Sequence, residues 1–233
     1  MKIKNLQPKK LFISLALSAL FFTFFPAKIV GQDVVDKTVA TVGDGLGSPE
    51  LITYSDLLWQ LALEPGVSIR PPSSDDLNRA LQTLTDQRLF ALEAKRVPRT
   101  EPSEEEVNAE IKLVLAKFPS IAEFEERLRT VGFDSVKDEN FELIMANRVK
   151  IKRYLDFRFR AFVVITPEDE AKYYRETYTR DFRRLNPTRL LPKLDEVRTQ
   201  INQILTEKKI AGDIENFLED AKNRTEITIL SEV

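Results

Sequence analysis

The stretch from Leu194 to Leu230 constrains the fold of this chain more than any other. Leu194, Val197, Ile201, Ile204, Ala211, Ile214, Leu218 and Ala221 recur at three- and four-residue steps. That spacing predicts one apolar stripe on a long α-helix over 194–223. The following Thr225-Glu226-Ile227-Thr228-Ile229-Leu230 changes the period from 3.6 to 2 and reads as a short strand. An isolated strand leaves its backbone donors and acceptors without partners. The other strand-like residues lie near the opposite end, at Asp36–Val42 and Glu50–Thr53. The last segment is therefore expected to fold back and pair with the first.

Residues 1–31 read as a secretory signal peptide. Lys2, Lys4, Lys9 and Lys10 form a basic start, Leu11 to Phe25 carries no charge, and Ile29-Val30-Gly31 offers a small residue for cleavage before Gln32. The apolar run is shorter than the roughly 20 residues needed to span a bilayer. An uncleaved anchor is the alternative; otherwise no stable membrane insertion is expected after cleavage. From Gln32 onwards the chain is acidic, with 30 basic against 37 acidic residues. That balance gives no overall attraction to nucleic acid.

Two absences narrow the chemistry. Without cysteine, an exported chain has neither disulfides nor a thiol nucleophile. Without histidine, it lacks the usual general base, the partner of a serine nucleophile and the commonest transition-metal ligand. Carboxylate chemistry stays open. No cofactor and no metal are expected.

Between the terminal strands the sequence is helical, over roughly 54–63, 75–97, 104–118, 121–131, 136–163 and 167–182. Caps mark most starts: Thr53 with Asp56, Ser73 to Asp76, the S-x-x-E boxes at Ser103 and Ser120, Ser135 with Asp138, and Thr166-Pro167. Gly43 to Pro49 reads as a hairpin connection; no helix follows it and no Lys-Ser/Thr pair, so it is not a phosphate loop. The Glu104–Glu106 run is a favourable helix start. Thr179–Lys193, basic and with two prolines, reads as a linker. The Asn223-Arg224-Thr225 sequon falls at a helix–strand junction, a poor acceptor position. The helix over 136–163 stands apart: beside the stripe Phe141, Ile144, Ile151 and Leu155, it sets Tyr154, Phe157, Phe159 and Phe162 on further faces among arginines and lysines. Such a helix is either buried on several sides, with arginine stems along it, or exposes apolar surface to a partner.

Val35-Asp36-Lys37-Thr38-Val39-Ala40-Thr41-Val42, followed by Leu51-Ile52-Thr53-Tyr54-Ser55-Asp56-Leu57, resembles the opening of the SurA-type periplasmic chaperones. Ile165 to Tyr174 is similar to the segment where the N-terminal domain of that family ends. Leu194–Arg198 through Leu230 is similar to its C-terminal helix and closing strand. The resemblance implies a mainly α fold, a SurA N-terminal-like helical domain with a small antiparallel sheet formed by the N-terminal hairpin and the C-terminal strand. It divides the chain into a signal (1–31), the helical domain (32–178), a linker (179–193) standing where the family carries its parvulin prolyl isomerase domains, and the closing helix and strand (194–233). The linker is far too short for such a domain, whose site also includes histidines.

The resemblance implies a periplasmic, ATP-independent holdase for unfolded polypeptides, outer-membrane β-barrel precursors among them, and not an enzyme. Prolyl isomerisation by kinship and a non-catalytic adaptor role are the alternatives. Candidate client contacts are Trp59, Phe118, Phe124, Phe133, Tyr154, Phe157 and Phe159, though for each taken singly packing in the core is the better reading.

Overall fold

The computed structural model describes residues 36–43, 45, 47–97 and 100–233. The expected signal peptide and its cleavage site lie outside the described residues. Strand β1 (Thr38–Gly43) pairs antiparallel with β2 (Glu50–Thr53) on one side and β3 (Glu226–Ile229) on the other. The strand order is β2-β1-β3, so the two ends of the described chain join in one sheet, as the change of period at Thr225 implies. Thr41 faces Thr228 and Val42 faces Ile227, and the Leu230 N–H donates to the Val39 carbonyl at 2.9 Å.

The helices are α1 (Tyr54–Ala62), α2 (Ser74–Lys95), α3 (Glu104–Leu115), α4 (Ile121–Thr130), α5 (Glu139–Arg158), α6 (Pro167–Tyr173), α7 (Thr179–Leu185) and α8 (Leu194–Arg224). The protein is thus mainly helical with one small three-stranded sheet. Thr53, Ser73, Ser103, Ser120 and Thr166 cap their helices through the side-chain oxygen, each satisfying an amide that has no partner inside the helix.

Four details depart from the sequence reading. The helix expected from residue 136 starts at Glu139, because Asp138 takes the cap and accepts from the Asn140 and Phe141 N–H groups. It stops at Arg158 and a 3-10 turn covers Arg160–Phe162, so one helix does not run on to 163. Thr179–Leu185 is not linker: α6 passes through a π turn at Tyr174–Tyr178 straight into α7, leaving only 186–193 extended. Along α8 the buried residues are Val197, Ile201, Ile210 and Ala221, while Ile204 and Ala211 are exposed. Arg198 and Asn202 bind Glu170 of α6, whereas Ala221 joins the core shared with the sheet and Lys222 pairs with Asp86 of α2, so different sides of α8 are covered along its length and 204 and 211 fall outside both.

Two apolar cores result. One joins Val39, Val42 and Ile52 of the sheet to Leu57 and Leu61 of α1, Leu77, Leu81, Leu84 and Leu89 of α2, and Ala221 of α8. The other gathers Ile111 and Val114 of α3, Phe118, Phe124 and Leu128 around α4, Phe133, and Phe141 and Met145 of α5. Helix α1 stands between them, with Leu57 and Leu61 in the first core and Trp59 and Leu63 against the second.

Candidate functional site: the cleft between α2 and α5

Helix α5 is apolar on two sides: one is buried along its length, and on the other Tyr154 is buried and Ile144 packs partly against the second core. Phe141, Met145 and Val149 are buried, whereas Leu143, Ile144 and Ile151 turn toward a cleft shared with α1 and α2. The opposite wall is built by Trp59, Leu63, Leu84 and Ala91. This cleft measures about 370 Å³. Ala91, Lys95, Asn147 and Ile151 also belong to a neighbouring hollow of about 300 Å³ that continues past Ala94 and Val97 to Tyr154. The two together run along the α2–α5 seam. Volumes of this size lie in the range that binds small ligands or a few side chains.

The wall is held from behind. The Trp59 indole packs on Phe133 with ring centroids 5.1 Å apart and donates its Nε1–H to the Val131 carbonyl at 3.1 Å. Arg127 reaches from α4 to the end of α1 and donates to the carbonyls of Leu61, Ala62, Glu64 and Val67 at 2.7–3.1 Å. Burial holds its pKa below the usual arginine value, a cost the four acceptors offset. They are largely carbonyls that a helix end leaves without intrahelical partners.

Around the rim, cations meet carboxylates. Arg88 pairs with Asp56 at 3.4 Å, Arg148 with Glu110 at 3.2 Å and Lys150 with Glu101 at 2.5 Å; Lys95 pairs with Glu50 and Arg153 with Glu106. Arg153 first, then the Ser103 N–H, keep the Glu106 carboxyl below its usual pKa. Burial, with Glu93 nearby, pushes the Tyr154 phenol up. Gln60, Gln87, Asn140 and Asn147 contribute amides to the same walls. Gln60 and Gln87 bond to each other, so the cleft offers an apolar floor, the exposed amides of Asn140 and Asn147 able to hydrogen-bond a peptide backbone, and a rim whose charges are already compensated. Among the described residues, no group of three or more His, Cys, Asp or Glu side chains is placed to hold a metal ion.

The seven residues singled out in the sequence separate into three groups. Phe118, Phe124 and Phe133 are buried in the second core, where Phe118–Phe124 and Phe133–Phe141 ring contacts of 4.8 and 5.7 Å fix them; as they stand they present no surface to a client. Trp59, half-buried, lines the α2–α5 seam; Tyr154 borders it but is itself buried, 4% exposed. Phe159 packs edge-on to Phe217 of α8, 5.6 Å away, and Phe157, 44% exposed, meets Phe162 at 6.3 Å; neither lines the seam. The strongest cleft residue that sequence reasoning missed is Leu143, 57% exposed. Its spacing from Ile144, Asn147 and Ile151 on a helix with two apolar faces was the available signal.

No protein-family model matches the chain, and no curated protein matches it.

Proposed function

We propose that the chain is a SurA-type chaperone domain that holds unfolded exported polypeptides in the α2–α5 cleft, working in the periplasm without ATP. Outer-membrane β-barrel precursors, whose strands alternate apolar and polar side chains, are the client class in view. The observation that carries this reading is the apolar floor of exposed Leu143 and half-buried Ile144, Ile151 and Trp59 beneath a charge-compensated rim. Apolar side chains of an unfolded segment gain roughly 25 cal/mol for each Å² they remove from water there. A rim already paired within the protein selects little by client charge, which suits a binder of many sequences. Binding the unfolded chain lowers its free concentration by mass action, and aggregation slows accordingly. No catalytic step is required.

The test is light scattering of a denatured barrel protein diluted with and without the exported chain. Suppression at near-stoichiometric ratio is expected, weakened at least several-fold by Leu143→Asp, a change at an exposed position that leaves the cores alone. Absence of suppression at stoichiometric excess contradicts the reading.

A further inference from the structure

The basic segment read from sequence as a linker is an ordered arm. Helix α6 continues through the π turn and α7 to Leu185, the chain turns at Asn186–Arg189, and it returns extended to Lys193. Tyr174, Tyr178 and Phe182 stack in succession, each pair of ring centroids 5.8 Å apart and nearly parallel. The Tyr174 hydroxyl donates to the Pro192 carbonyl at 2.6 Å, which ties the returning strand to the base of the arm. At the turn stand Leu185, 72% exposed, directly after Arg183 and Arg184, and Leu190, 94% exposed, directly after Arg189.

Charge sets this arm apart from the rest of the molecule. Residues 175–193 hold six basic and two acidic side chains in a chain that is otherwise strongly acidic from Gln32 on. Elsewhere many arginines find carboxylates, as Arg88, Arg148, Arg153, Arg160 and Arg198 do, and Arg70 and Arg127 bind backbone carbonyls. In the arm Asp181 serves both Arg180 and Arg184, at 3.4 and 3.5 Å, and no ion pair among the described residues engages Arg175, Arg183 or Arg189.

We propose that this arm docks on an anionic phospholipid surface. Uncompensated guanidinium groups call for a dense array of phosphates, which they can grip in a bidentate manner. Two exposed leucines at the same turn call for an apolar layer directly beneath that array, and a bilayer interface supplies both within about 10 Å of depth. A nucleic acid supplies the phosphates but no layer to receive the leucines. The stacked rings and the Tyr174–Pro192 bond hold the turn in shape before it meets the surface, so little ordering entropy is lost on docking. The arm lies outside the α2–α5 cleft, and this proposal does not depend on the chaperone reading.

The experiment is co-sedimentation of the whole chain, as recovered after export, with phosphatidylcholine vesicles containing or lacking phosphatidylglycerol. The wild type is expected to bind the phosphatidylglycerol vesicles more tightly, with an advantage that falls at high salt. The Arg183→Ala/Arg184→Ala/Arg189→Ala variant should lose about a hundredfold of that affinity, three steps of about fivefold each. Leu185→Ser/Leu190→Ser should weaken binding while keeping its salt dependence. All five positions are exposed, so circular dichroism and the suppression of client aggregation should not change. Equal binding of wild type and triple variant to phosphatidylglycerol vesicles overturns the proposal. So does arm-dependent self-association, or capture of an oligonucleotide, in a chain that leaves the vesicles unbound.

Discussion

The Trp59 Nε1–H donates to the Val131 carbonyl at 3.1 Å, across 72 residues of sequence, and so fastens one wall of the cleft to the end of α4. Val131 caps that helix, where carbonyls lack intrahelical N–H donors. Trp59→Phe keeps the packing on Phe133 and leaves the carbonyl without this donor, so a loss of about 1 kcal/mol is expected in urea denaturation. Trp59→Ala also opens space beside Phe133 and should cost about 3 kcal/mol. Binding of unfolded client should weaken in the alanine variant more than in the phenylalanine one.

Arg127 closes the end of α1 with four hydrogen bonds to backbone carbonyls. Arg127→Ala removes all four and is expected to destabilise the fold by about 3 kcal/mol. Arg127→Lys keeps the charge but not the planar fork, and should recover less than half of that loss. Thermal unfolding of the three proteins measures both.

The register of β3 on β1 makes a discriminating prediction. With Leu230 bonded to Val39, the alternation of an antiparallel ladder makes Thr228–Thr41 a hydrogen-bonded pair and turns the Ile229 N–H outward, to the free side of the strand. Proline lacks that N–H. Ile229→Pro should therefore cost under about 1 kcal/mol of backbone pairing, whereas Thr228→Pro breaks the ladder and should cost about 3 kcal/mol or more. Equal losses in the two variants would mean that the strand is paired in another register.

The pH dependence follows from the capping acids. The Ser73 hydroxyl lowers the pKa of Asp76, the Thr166 N–H that of Asp169 and the Arg153 guanidinium that of Glu106. Each carboxyl binds protons less readily folded than unfolded, so its contribution is complete above the ordinary value of 3.8 or 4.5 and is lost as pH falls through the lower, folded value. Tyr154 has the opposite sense: its raised pKa contributes fully below the ordinary 10.0 and is lost as pH rises beyond it. With no histidine in the chain, a urea midpoint that stays flat between about pH 5.5 and 9 is expected, falling on either side.

Local signals carried much of the fold. The caps at Thr53, Ser103, Ser120 and Thr166 start their helices where hydroxyl-to-amide geometry demands, and the period change at Thr225 marks the closing strand that joins β1. The misses are longer in range. Sequence spacing could not decide which face of α5 meets a core, because Phe141 and Met145 differ from Ile144 and Ile151 only in which neighbours arrive. The prolines at 187 and 192 made 179–193 read as a linker overlapping the end of the helix expected over 167–182, yet helix continues to Leu185 because no breaker precedes it and the ring stack supports it. Burial of Phe118, Phe124 and Phe133 likewise depends on partners more distant than any local pattern reaches.

The cleft itself is tested most directly by photo-crosslinking. A photoreactive residue replaces Leu143, 57% exposed at the α2–α5 seam, or Leu113, 54% exposed on α3 and away from it. Matched exposure removes chance collision as an explanation for any difference. A denatured barrel protein should crosslink at 143 and scarcely at 113; equal yields, or a preference for 113, would contradict the assignment of the cleft as the client-binding site.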